Sequence, residues 1–197
     1  MNRHRTGVAP ALFALATALA LHAASAAGAG AGEAAPAQAD PAQVDRGRYL
    51  VTVLGCNDCH TPWRMGENGP EPDMSRMLSG HPQQLVLPPP PALTPGAWES
   101  ASWSTVTAWA GPWGVSFTAN LTPDPETGLG KWTEQEFMDT MHSGRHQGRG
   151  RELLPPMPWF NVGALTDQDL KAVFAYLKSI PAISNRVPTP IPPAAAH

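Results

Sequence analysis

The chain has 197 residues, a formal charge of −3, 23 prolines, 18 glycines and two cysteines. This length suits one domain plus extensions, and so mild a charge gives no footing for nucleic acid as a partner. The proline content predicts few regular elements joined by long irregular connections.

Arg3, His4 and Arg5 precede an apolar stretch from Ala9 to Leu21, and Ala24-Ser25-Ala26 follows as an A-x-A-like cleavage site. That order predicts a secretory signal peptide over residues 1–26 and export to the periplasm. His22 and Ser25 interrupt the apolar run, leaving it short of the roughly 20 residues a spanning helix needs. Cleavage removes Arg3 and Arg5 with no acidic residue, so the remainder is more acidic than the whole chain. Residues 27–39, made almost wholly of Ala, Gly, Pro and Gln, cannot bury a core and are expected to form a disordered linker.

A folded domain is expected over residues 40–188, with 189–197 as a Pro/Ala-rich tail. Its first helix begins at Asp40 as N-cap, with Pro41 in the first turn and Gln43 at the capping-box return position, and Gly55 stops it. Val44, Gly47, Leu50, Val51 and Leu54 share one face. Gly47 costs about 1 kcal/mol against alanine in a helix, so close approach by another helix is expected there.

Both cysteines lie directly after this helix, in Cys56-Asn57-Asp58-Cys59-His60. C-x-x-C-H reads as a c-type haem attachment site: two thiols at this spacing add to the two vinyl groups of one haem, and the next residue places an imidazole under the iron. A redox dithiol would want a βαβ pattern, and structural zinc would want about four ligands. A disulfide across so short a loop is geometrically awkward. Cys56, Cys59 and His60 are therefore read as the residues that bind one covalent haem c. The other ring nitrogen of His60 needs an acceptor, for which the carbonyls of Pro70 and Pro72 are the nearest suitable options.

From His60 to Lys131 the chain resists regular assignment. Pro88–Pro91 is a short polyproline run, and Trp98, Trp103, Trp109 and Trp113 recur among small and turn-forming residues. Ser102–Ala110 is the one segment expected to form a short helix. In Asn120–Gly128, Asp124 and Glu126 suggest calcium, but the EF-hand spacing is missing and a turn is expected. Trp132, Thr133, Glu136 and Phe137 start a third helix that Gly144 ends. The last helix has Thr166 as cap, Asp169 at its third position, an apolar stripe of Leu170, Val173, Phe174 and Leu177, and Pro181 beyond its end. It is expected to cross the first helix at Gly47.

Between these helices, Leu154-Pro155-Pro156-Met157-Pro158-Trp159 forms a proline-stiffened loop that can hold a thioether with little ordering cost. Met157 is the expected sixth ligand, and a His/Met pair raises the reduction potential and closes the iron to external ligands. His81, His142 and His146 are the competing ligands, read mainly as solvated surface residues. Met65, Met74, Met77, Met138 and Met141 are read as core or loop filler. The run from His142 to Arg151 gathers Arg145, Arg149 and Arg151, which would neutralise haem propionates, dock an acidic partner, or form a solvated loop.

With these residues in place the sequence resembles the class I cytochrome c family. It is closer still to the bacterial periplasmic monohaem cytochromes that carry G-R-Y-L before C-x-x-C-H, then L-S-G-H-P, G-P-W-G-V-S-F-x-A-N-L-T-P-D, P-P-M-P-W and A-Y-L-K-S-I-P. Those strings stand at Gly47–Leu50, Cys56–His60, Leu78–Pro82, Gly111–Asp124, Pro155–Trp159 and Ala175–Pro181. The resemblance implies an all-α cytochrome c fold, about three to five helices around one covalent haem, with long Pro/Trp-rich loops. It implies outer-sphere electron transfer rather than catalysis, between a donor dehydrogenase and an acceptor oxidase or cytochrome, with membrane contact only through partners. Related haem domains are subunits of alcohol, aldehyde and gluconate dehydrogenases, with several C-x-x-C-H motifs in one chain where this sequence has one. A separately encoded dehydrogenase subunit, or a haem enzyme or gas sensor with a displaceable distal ligand, are the alternatives.

Overall fold

In a computed structural model, residues 40–193 are described, apart from 94, 95 and 97; the expected signal peptide and linker, and the last four residues of the tail, lie outside the described residues. Helix α1 (Pro41–Val53) opens on Asp40, whose side chain accepts the Ala42 N–H at 3.0 Å. Gly55, in the left-handed region at φ 67°, then turns the chain into the short helix α2 (Cys56–His60). Helix α3 (Glu134–Ser143) carries the full capping box: the Thr133 hydroxyl accepts from the Glu136 N–H, and the Glu136 carboxylate accepts from the Thr133 N–H at 3.1 Å. A four-residue α4 (Trp159–Val162) and the long α5 (Asp167–Ser179), capped by the Thr166 side chain on the Asp169 N–H, complete the helices.

Helices α1 and α5 cross where the glycine expectation put them. A methyl group at Gly47 would run into the Ala172 carbonyl, so the missing Cβ is what lets the two backbones meet. Beside that contact Arg46 of α1 forms a two-pronged ion pair with Asp169 of α5, at 2.8 and 3.1 Å. The buried core gathers Leu50 and Val51 from α1, Phe137, Met138 and Met141 from α3, and Leu170, Val173, Phe174 and Leu177 from α5.

The all-α expectation describes this core but not all of the described residues, among which two small antiparallel sheets join five α-helices. Strands β1 (Trp63–Gly66) and β2 (Gly69–Pro72) form a hairpin with Gly66 opposite Gly69. Strands β3 (Ala101–Ser102), β4 (Ala108–Gly111) and β5 (Gly114–Phe117) form the second sheet, with Ala101 opposite Ala110 and Trp109 opposite Ser116. The helix expected over Ser102–Ala110 is thus a strand end, a turn and a strand. Trp103, Thr105, Val106, Thr107 and Trp109 are β-branched or aromatic residues that favour a pleated surface, and Val106, at φ 54°, breaks any helix. Within the segment read as a tail, Ile191 exchanges backbone hydrogen bonds with Val115 of β5, at 2.8 and 2.9 Å. No described helix is long and apolar enough to cross a membrane.

Candidate functional site

In α2, Cys56, Cys59 and His60 stand at i, i+3 and i+4 and so share one face of the helix. Both thiols are free and partly buried. Burial pushes the Cys56 thiol up to about 11 and raises Cys59 as well, which favours the neutral thiols. The helix is pinned from its own C-terminal side. Trp63 donates its indole N–H to the Asp58 carbonyl at 3.1 Å. The Thr61 hydroxyl bonds Asn57 and accepts the Leu78 N–H, both at 2.9 Å, and the Gly80 N–H reaches the His60 carbonyl at 2.8 Å.

His60 is buried, and its Nδ1 lies 2.8 Å from the Ala119 carbonyl oxygen. A carbonyl only accepts, so Nδ1 carries the proton and Nε2 keeps its lone pair for a metal. Burial lowers the His60 pKa against the opposing pull of that bond, which favours the neutral imidazole a ligand must be. The acceptor expected among the proline carbonyls is therefore displaced: Pro70 and Pro72 are taken up in β2, opposite Met65 and Trp63. Ala119 lies 59 residues from His60, in the Gly111–Asp124 string that carries the resemblance, and nothing in its own identity marked it.

Met157 is partly buried and packs, like Cys56, against the core cluster. Its loop follows α3 and leads directly into α4, and the Pro155 carbonyl accepts the Ser116 hydroxyl of β5 at 2.6 Å. The three histidines that compete with it each make contacts of their own, although the buried Nε2 of His81 has no hydrogen-bond partner. His142 reaches Asp167 at 3.3 Å, and the His146 ring stands edge-on to Trp132 with centroids 4.9 Å apart. His81 corrects its surface reading: it is fully buried, with Nδ1 on the Thr107 hydroxyl at 2.9 Å, and burial lowers its pKa. The backbone of the Leu78–Pro82 string takes it inward, its N–H meeting the Thr118 carbonyl at 3.0 Å. Met138 and Met141 lie in the core, while Met65 and Met74 are exposed.

The arginine run is largely self-compensated. Arg149 pairs with Glu136 at 3.0 Å and Arg145 with Glu152 at 3.7 Å, whereas Arg151 donates to the Glu152 carbonyl at 3.1 Å and burial lowers its pKa. Asp124 is a turn residue: its carboxylate accepts from the Thr127 N–H and hydroxyl and from the Glu126 N–H, and these bonds hold its pKa down. Among the described residues no group of three or more His, Cys, Asp or Glu side chains could hold a metal ion.

No protein-family model matches the chain. The fructose dehydrogenase cytochrome subunit of Gluconobacter japonicus is 27% identical over 164 residues, 81% of this chain and 26% of that subunit. The diheme c-type cytochrome of Cereibacter sphaeroides is 32% identical over 141 residues, 71% of this chain and 36% of that protein. The chain is related to cytochromes c. A nicotinate dehydrogenase subunit from Pseudomonas putida adds a shorter match, 36% identical over 77 residues, 39% of this chain and 6% of that protein. This cytochrome c relative thus spans 36% or less of the length of each of the three. Its residues fit haem c by chemistry. Two thiols and a tautomer-fixed imidazole share one helix face, a thioether sits on a loop against the same core, and the buried indole N–H of Trp109 lacks an acceptor that a haem carboxylate would provide.

Proposed function

We propose that the chain carries one covalent haem c as a class I-type monohaem cytochrome, held by thioethers to Cys56 and Cys59 and ligated by His60 and Met157, and that it passes single electrons between redox proteins in the periplasm. The observation that supports this most is His60, buried on the same helix face as both thiols and fixed by Ala119 with Nε2 free to bind. Bound there, the haem supplies a one-electron iron couple whose potential a methionine ligand raises. The chain's own part is to hold the imidazole neutral and oriented, to present the thioether from a loop whose prolines restrict its backbone, and to keep water from the iron with the helical core. Outer-sphere transfer through brief, small contacts is the mechanism. Donor and acceptor are a dehydrogenase and an oxidase or second cytochrome. The names of the relatives favour the narrower reading that the chain serves as a separately encoded electron-transfer subunit of a dehydrogenase. Export through a cleaved segment 1–26 is part of the proposal.

Absorption spectra of the native protein and Met157→Ala test the ligand set. The native ferric protein is expected to show the red-edge charge-transfer band of methionine ligation, and Met157→Ala to lose it and bind carbon monoxide when reduced. A native protein that lacks the band overturns Met157 as the ligand, and one that binds carbon monoxide rapidly and stoichiometrically at neutral pH favours a haem enzyme or gas sensor instead.

A further inference from the structure

Strand β5 and its extension bond His60 and the loop that carries Met157. At one end the Ser116 hydroxyl donates to the Pro155 carbonyl at 2.6 Å, two residues before Met157; at the other, the Ala119 carbonyl accepts from His60 Nδ1 at 2.8 Å. Only two residues separate Ser116 from Ala119, so their Cα atoms lie no more than about 11 Å apart. This short stretch is itself held on three sides: β4 pairs with it, Ile191 bonds Val115, and Thr118 links Thr107 to His81.

The loop carrying Met157 has few other ties. Pro155, Pro156 and Pro158 have no N–H to donate. The Met157 N–H makes only a long bond of 3.3 Å within the loop, to the Leu154 carbonyl, and the Pro158 carbonyl starts α4. Among the described residues, Ser116 makes the one hydrogen bond that joins 154–158 to a part of the chain beyond α4. Ser116 is buried, so its hydroxyl does not exchange this partner for water at no cost.

We propose that Ser116 is a positioning residue for the distal ligand: its bond to Pro155 sets how firmly the loop presents Met157, and β5 thereby couples the seating of the two axial ligands. The inference rests on the reading of Met157 as sixth ligand. It assigns Ser116 no contact with the haem.

The test compares purified holoproteins carrying Ser116→Ala, Ser116→Thr and Met157→Ala, each checked by pyridine haemochrome and thermal unfolding. Imidazole is titrated into the ferric protein at constant pH while the red-edge band is followed. Ser116→Ala is expected to keep covalent haem and the band but to bind imidazole about five- to tenfold more tightly, the change that one lost buried hydrogen bond carries. Ser116→Thr, which keeps the hydroxyl, is expected to restore native affinity. If Met157→Ala abolishes the band while Ser116→Ala binds imidazole as the native protein does, the brace is refuted and the ligand assignment stands. If Met157→Ala keeps the band, the ligand assignment itself falls and the brace with it. Should Ser116→Ala yield no holoprotein, the near-isosteric pair Ser116→Thr and Ser116→Val isolates the hydroxyl: equal imidazole affinities refute the brace, and weaker binding by Ser116→Thr supports it.

Discussion

Asn185 shows how much one side chain beyond the last helix contributes. Its amide donates to the Ser79 and His81 carbonyls at 2.6 and 2.9 Å, and its oxygen accepts from the Gln83 N–H at 2.9 Å and from Arg76 at 3.2 Å. The segment it fastens is the one whose Gly80 N–H bonds the carbonyl of His60. Asn185→Ala strands several buried groups and is expected to cost roughly 3 kcal/mol, read as a lowered denaturant midpoint with the haem still attached. His81 makes a second prediction. Burial, with a smaller push from Arg76, holds its pKa below the ordinary value of 6.5, so on acidification the unfolded chain takes up the proton first. Stability of the holoprotein therefore rises with pH below about 6.5, by up to about 1.4 kcal/mol per pH unit, and levels off above it. Urea unfolding between pH 5 and 7.5 measures that slope, and His81→Leu is expected to reduce it. At this scale the sequence marked the groups with their own chemistry, the two cysteines, His60 and Met157. Ala119 and Ser116 act through a backbone carbonyl and a hydroxyl brought in by long-range pairing, and no local pattern points to such partners.

The crossing of α1 and α5 turns on Gly47. Gly47→Ala would drive a methyl into the Ala172 carbonyl and, at its side, the Tyr176 Cβ. Helix propensity alone predicts that this change stabilises, so the sign of the effect separates packing from propensity. Overpacking is expected to win, with a loss of about 2–3 kcal/mol in denaturant unfolding. The three long helices were legible because a cap, a glycine or proline stop and a 3.6-residue apolar stripe agree in each; Thr133 with Glu136 and Thr166 with Asp169 are instances. The sheets were not, because their strands run two to four residues and carry no alternation long enough to count. Trp109 reads equally well as helix or strand until its pairing with Ser116 of β5 decides.

Taken whole, the described residues form a helical core that carries the C-x-x-C-H helix, the Ala119 acceptor of His60 and the Met157 loop. The strings Leu78–Pro82 and Gly111–Asp124 bond His60 through Gly80 and Ala119, and the second also bonds the Pro155–Trp159 string through Ser116. The central claim is covalent haem at Cys56 and Cys59, and a pyridine haemochrome assay with intact mass and thiol titration on the denatured, purified holoprotein tests it most directly. One haem per chain that stays attached after denaturation, with no titratable thiol, is the predicted result; haem that washes away, or two free thiols, contradicts the account.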